Sequence, residues 1–185
     1  MLSPELAVKR LDLLRGALPS VTHVGVLWEA HLTEQAVGLP DMRIAARTLG
    51  VKLSSFGGRR VTEYEAAFAT AVREGAGALL VTGEELASPG DRHLITLAER
   101  YRMPVMYDRR DYVDAGGLIA YGVSIDSVSR SVAGYVEKIL HGVKVASLPV
   151  QQPTKFEFVI NLKAANALGL TIPGSVILRA DQTIE

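Results

Sequence analysis

The chain has 185 residues, 48% hydrophobic and 22% charged, with 20 basic residues balancing 20 acidic ones. That length supports one domain with its own core, or one domain plus part of another, and zero net charge gives nucleic acid little electrostatic help. There is no cysteine, which excludes a disulfide framework, a thiolate metal site and a cysteine nucleophile. No apolar run approaches the roughly 20 residues that span a bilayer.

In chain order, residues 4 to 17 read as a helix. The opening "MLSPELAVKRLDLL" lacks a basic leader and a continuous apolar stretch, so no export signal is expected there. Next come four short apolar runs: "HVGVLWE" from His23, "VKLSSF" from Val51, "ALLVTG" from Ala78 and "PVMYD" from Pro104. They recur every 26 to 28 residues or so, the size of a strand-helix unit. Near-continuous Val and Leu runs suit parallel strands buried on both faces.

Helical patterns fill the gaps. A helix is expected around residues 35 to 49, with Pro40 kinking it or marking its start. "TEYEAAFATAVREG" carries a capping box, Thr62 with Glu65, and an apolar face of Tyr64, Ala67, Phe68, Ala71 and Val72. "SPGDRHLITLAERYR" offers Ser88 as N-cap, Pro89 at the first helical position, and a core face of Leu94, Ile95, Ala98 and Tyr101. This alternation predicts an α/β fold: a Rossmann-like parallel sheet with helices on both faces.

After about residue 115 the rhythm changes. "AGGLIAYG" reads as a strand after a Gly-Gly turn. "DSVSRSVAGYVEKILHG" is an amphipathic helix with Val128, Val132, Tyr135, Val136, Ile139 and Leu140 on one face, and Ser124, Asp126 and Ser127 suit its cap. "VKVASLPVQQPTKFEFVIN" is mostly extended, "LKAANALGL" is a short helix ended by Gly169, and a last helical turn is expected in "IPGSVILRADQTIE".

In an open parallel sheet, ligands bind beyond the carboxyl ends of the strands. The residues there are Trp28, Glu29, Ala30 and His31; then Gly83, Glu84 and Glu85; then Tyr107, Asp108, Arg109 and Arg110. The set is polar, mixed in sign and flanked by aromatics, which suits a small zwitterion or polar molecule. Solvated loops would look the same. The four histidines show no metal spacing and read as surface residues. "FGGRR" lacks the G-x-x-x-x-G-K-[ST] pattern and reads as a turn. No G-x-G-x-x-G comes after the first strand, and no G-x-S-x-G is present. No catalytic set, metal site or cofactor motif is expected.

Three stretches resemble the tryptophan/tyrosine-type substrate-binding proteins of ABC transporters: "LSPELAVKRLDLLRGALPSVTHVGVLWE", the run from Tyr101 to Pro173, and "SVILRADQTIE". "GGLIAYG", "LPVQQPTKFEFVINLKAANALGL" and "ILRAD" are the most specific parts. The resemblance implies a type 1 periplasmic binding fold, with two Rossmann-like lobes, crossing strands between them and a solute in the cleft. It implies no catalysis, an ABC permease as partner when full length, and a site outside the inner membrane, periplasmic or lipid-anchored. It also implies that this chain is the C-terminal portion. Residues 1–117 would be the ligand-binding lobe, 118–150 a crossover strand and helix belonging to a mostly missing N-terminal lobe, and 151–185 a return segment.

By the same analogy Glu29, Ala30, Gly83, Glu84, Asp108, Tyr121 and Gly122 lie nearest the cleft. Glu29-Ala30-His31 stand where relatives often have Asn-Pro or a Ser/Asn-rich turn, and Glu84-Glu85 where small hydroxyl residues or Asp are common. Solute identity therefore does not carry over beyond an amino acid or similar small polar molecule. With one lobe, weak or absent binding is expected, as is self-association through residues 118–142. Beside a stand-alone lobe with no transport role, two rival readings are a ligand-sensing regulatory domain and a doubly wound enzyme. The first would bring a basic DNA-recognition helix and the second a phosphate loop or strand-end nucleophile; neither is read here.

Overall fold

A computed structural model describes residues 4–35, 37–58, 61–82 and 92–185. Its centre is a seven-stranded sheet in the order β2-β1-β3-β4-β5-β6-β7. Strands β1 (His23–Glu29), β2 (Lys52–Gly58), β3 (Ala78–Thr82), β4 (Val105–Tyr107) and β5 (Ile119–Val123) run parallel. β6 (Phe156–Asn161) lies antiparallel to β5, and β7 (Gln182–Ile184) parallel to β6.

Helices cover both faces, as the strand composition demands. On one side lie α1 (Pro4–Ala17), α2 (Leu39–Thr48), α7 (Leu162–Ala167) and α8 (Gly174–Ile177). Leu11, Leu14, Met42, Ala165 and Val176 of these helices pack against Val24, Val26, Leu80, Met106 and Ile160 of the strands. On the other side lie α3 (Val61–Arg73), α4 (His93–Arg100) and α5 (Arg110–Asp114), where Phe68, Leu94 and Tyr112 pack against Leu27, Leu79, Val81 and Tyr107. Each central strand alternates between two cores.

Details depart from the sequence reading. Pro40 sits in the first turn of α2, so it starts that helix rather than kinking it. α3 begins at Val61, which puts Thr62 inside the helix and not at its cap. Val72, expected on the buried face, is 45% exposed, because Phe68 and Ala71 take the contact with the sheet. β2 runs on through Gly57 and Gly58, so Phe56, Gly57 and Gly58 of the expected "FGGRR" turn are strand. The expected caps Ser88 and Pro89 lie outside the described residues. His23 is buried, not superficial, and its Nε2 meets Ser54 Oγ on the neighbouring strand at 2.9 Å. α5 and β7 are additions that the sequence pattern did not mark.

The strand expected to belong outside this lobe's sheet is hydrogen-bonded within it, between β4 and β6. Main-chain pairing on both edges is what fixes it there. The chain leaves the sheet only after β5. Ser124 N donates to Lys155 O at 3.0 Å, which brings the two ends of residues 125–154 together. Ser124 Oγ caps α6 (Ile125–Leu140) by accepting from Ser127 N, as expected, and donates to Glu157 Oε1 at 2.6 Å. No residue of α6 is buried. Its companions are its own return leg: Ser131 Oγ donates to Gln151 Oε1 at 3.0 Å, and Tyr135 Oη to Pro149 O at 2.5 Å.

Candidate functional site

The carboxyl ends of the parallel strands bring four residues to one level. Trp28 is in register with Thr82, Leu80 with Met106, and Tyr107 with Ala120. Continued along the strands, that register sets Asp108 beside Thr82 and Tyr121 beside Asp108. Side chains alternate along a strand. Because Val26, Leu80, Met106 and Ile119 point into the α1-side core, Trp28, Thr82, Asp108 and Tyr121 share that face.

α1 supplies the cation. Arg10 lies on the buried stripe with Ala7, Leu11 and Leu14, and is only 5% exposed. Its Nε donates to Tyr121 O at 2.7 Å. Burial pulls its pKa down, and the nearby charge of Asp108 opposes that pull. Burying a guanidinium is tolerated only when opposite charge and acceptors surround it, and Asp108, itself buried, provides the charge.

The neighbouring polar atoms have no such support. Trp28 Nε1 and Thr82 Oγ1 are both buried, and neither has a hydrogen-bond partner among the described residues. Buried donors without acceptors carry a desolvation cost, so each needs an explanation. The expected residue Glu29 is buried at the end of β1 and turned to the opposite face, where His31 Nε2 stands 3.5 Å from its Oε2. Ala30, half-buried, comes next and donates its N–H to Gly58 O at 3.1 Å. Gly83, Glu84 and Glu85 lie outside the described residues.

Gly122 has a backbone reason for being glycine. A Cβ there would stand 1.7 Å from Asp108 O, deep inside the oxygen's van der Waals radius. The absence of a side chain lets β4 and β5 close up where Asp108 leaves the sheet. Tyr121 is held by stacking on Phe156 at 6.0 Å between ring centroids and edge-on to Phe158 at 6.2 Å. Arg109, expected among the loop cations, turns to Asp111 and lies over the Tyr112 ring at 5.7 Å. Its pKa is raised chiefly by the Asp111 hydrogen bond. It serves α5 rather than the strand-end face.

The sequence reading named Trp28, Asp108, Tyr121 and Gly122 near the strand ends, and named neither Arg10 nor Thr82. Arg10 was detectable, because a lone arginine on an otherwise apolar helical stripe must be buried with a partner. Thr82 was hidden at the end of a strand that reads as wholly apolar. Among the described residues no group of three His, Asp or Glu is positioned to hold a metal ion. Nor is any helix among them long and apolar enough to cross a membrane.

Solved structures share this architecture. A conserved domain protein from Vibrio cholerae superposes with a TM-score of 0.82 at 24% identity, over 96% of this chain and 60% of its own. The ABC domain in complex with L-Trp from Streptococcus pneumonia gives 0.81 at 22% identity, over 97% and 62%. The ligand-free, open form of a substrate binding protein with adhesive properties from Clostridium difficile gives 0.65 at 20%, over 96% and 59%. This chain thus spans about three-fifths of the length of each of these structures. They establish the fold as type 1 periplasmic-binding-like. No protein of curated function matches the chain. The profile of the ABC transporter substrate binding protein family matches residues 3–184, end to end across the sheet and its strand-end face. The chain belongs to that family of ABC transporter substrate binding proteins.

Proposed function

We propose that the strand-end face around Arg10, Trp28, Thr82, Asp108 and Tyr121 is one wall of a solute-binding cleft in an ABC importer. Glu29, Ala30 and Gly122 border that wall, and Gly83 and Glu84 belong to the same loop set. The observation that carries this reading is the pair of buried donors Trp28 Nε1 and Thr82 Oγ1, unpartnered among the described residues and set beside a buried Arg-Asp couple. With Trp28 and Thr82 turned outward on binding, a solute bearing acceptors for the two donors would relieve their cost. A small zwitterion, such as an amino acid, offers a carboxylate for that role and an ammonium for the acidic side. The Streptococcus neighbour holds L-Trp, which supports the same chemical class.

The role we read is binding: the face offers donors and a charge couple suited to holding a solute. A second wall would come from a second lobe, since the neighbours are longer than this chain. Closure of two lobes on the solute, stabilised by contacts made only in the closed state, would present the loaded form to a permease. The family's work lies outside the cytoplasmic membrane, and a periplasmic or lipid-anchored location is the reading adopted for the whole protein. α6 presents Val132, Val136, Ile139 and Leu140 to solvent, each at least 41% exposed. That stripe is the surface on which another lobe would rest. For the isolated chain, a second copy is the available partner, so self-association through α6 is expected.

The test is a titration of the isotopically labelled chain with each common amino acid, monitored by amide and indole shifts. Selective movement of the Trp28 indole and the Thr82 and Asp108 amides, with a Kd weaker than about 1 mM for one wall alone, supports the reading. An amino acid that saturably moves other signals and none of these three would show that the face is misassigned.

A further inference from the structure

α1 leads into β1 and therefore runs against the parallel strands, so its first half lies towards their carboxyl ends. Arg10 stands in that half, 5% exposed on the stripe of Ala7, Leu11 and Leu14. Its Nε is engaged, donating to Tyr121 O at 2.7 Å. That bond fixes the plane of the guanidinium and leaves Nη1 and Nη2 without a hydrogen-bond partner among the described residues. Asp108 acts on Arg10 as a nearby charge and not through a hydrogen bond.

The two Nη groups differ from Trp28 Nε1 and Thr82 Oγ1. Those two atoms are sealed from solvent, whereas neither Nη is among the sealed atoms that lack a partner. Both therefore reach solvent, through the small opening that keeps Arg10 from complete burial. A forked cation that is rigidly held, largely desolvated and still accessible suits a planar anion with two oxygens, which it can meet with two parallel hydrogen bonds. Low exposure strengthens that attraction, because little solvent screens it. The charge of Asp108 beside Arg10 disfavours a doubly charged anion, so the fit is a group of single charge.

We propose that Arg10 is the carboxylate receptor of the strand-end face, with Nη1 and Nη2 each donating to one oxygen of a singly charged carboxylate. The inference rests on the reading of that face as a cleft wall, and names the residue that selects the head group of the solute. Arg10 belongs to α1 and not to a strand-end loop, so it adds a contact from a separate element.

The experiment uses acetate as probe, with acetamide as its uncharged isostere and sulfate as a doubly charged anion. Each is titrated at constant ionic strength into the labelled 185-residue chain, and the Arg10 Nε–Hε signal and the Tyr121 amide are followed. Acetate should shift both saturably, with a Kd on the order of 10 mM for so small a ligand. Acetamide and sulfate should each bind at least about tenfold more weakly. Arg10→Lys keeps the charge but loses the fork, and should weaken acetate by about fivefold. Acetate and acetamide binding equally to the unaltered chain would overturn the proposal without any variant, and sulfate binding as tightly as acetate would overturn the carboxylate class. So would an Arg10 signal that does not move in acetate up to about 0.2 M, well above that Kd. An amino acid that moves Trp28, Thr82 and Asp108, leaves Arg10 still and binds no better than its own amide would overturn the role of Arg10 while the cleft reading stands.

Discussion

α4 and α6 are written to the same pattern, an apolar stripe at helical spacing with charges opposite. α4 buries Leu94, Ile95, Leu97 and Ala98, whereas α6 buries nothing. The difference lies in the strand that each helix leads into. α4 connects two parallel strands, and such a crossover must lay its helix back on the sheet. α6 connects β5 to an antiparallel neighbour, so the chain could have turned at once. It runs out for residues 125–154 and returns to the point of departure, where Ser124 N meets Lys155 O. Amphipathicity states that a face requires cover; topology states whether this sheet provides it.

The strongest challenge to that contrast is Phe68→Ala on the buried side of α3. A cavity left by a fully buried phenylalanine should cost about 3–5 kcal/mol in denaturant unfolding. Gly122→Ala should come next, at about 3 kcal/mol, because the methyl group collides with backbone that cannot swing away. Arg10→Met keeps the aliphatic bulk, but removes the bond to Tyr121 O and the charge that faces Asp108. A loss of about 2–3 kcal/mol is expected there, together with shifts at Asp108 and Tyr121 in the amide spectrum.

The excursion should behave in the opposite way. Val136→Ala and Ile139→Ala should change stability by no more than about 0.5 kcal/mol. A stability loss equal to that of Phe68→Ala would show that α6 is packed in solution after all. Val132→Glu with Val136→Glu should convert an associating chain to a monomer in light scattering, with the unfolding midpoint unchanged. Replacing residues 125–154 by a short Gly-Ser linker should leave the amide spectrum of β1 to β4 in place, because the ends already touch. Loss of the sheet spectrum would mean that the excursion is part of the folding unit.

Much of the fold was legible because the signals are local. The Val/Leu runs of β1 and β3 and the stripe of α4 each announce their own secondary structure. Asp108 was named from the end of β4 and by the resemblance, Tyr121 and Gly122 by the resemblance alone. Arg10 required the helix to be set against the sheet, because its partners Tyr121 and Asp108 are about a hundred residues away in the chain. His23 was misplaced for the same kind of reason, since Ser54 on the neighbouring strand keeps it inside.

Local pattern was enough for the alternation of strands and helices, the two-faced burial of the central strands and the apolar stripe of α6. These arise from periodicities of two and 3.6 residues, which the side chains carry wherever they are. Tertiary packing alone placed β5 between β4 and β6 and required Gly122 to make room for the Asp108 carbonyl. It also set Arg10, Trp28, Thr82 and Asp108 on one face and stacked Tyr107 on Tyr112 beneath the other. Those facts depend on register and on contacts between distant segments, and no local pattern encodes either one.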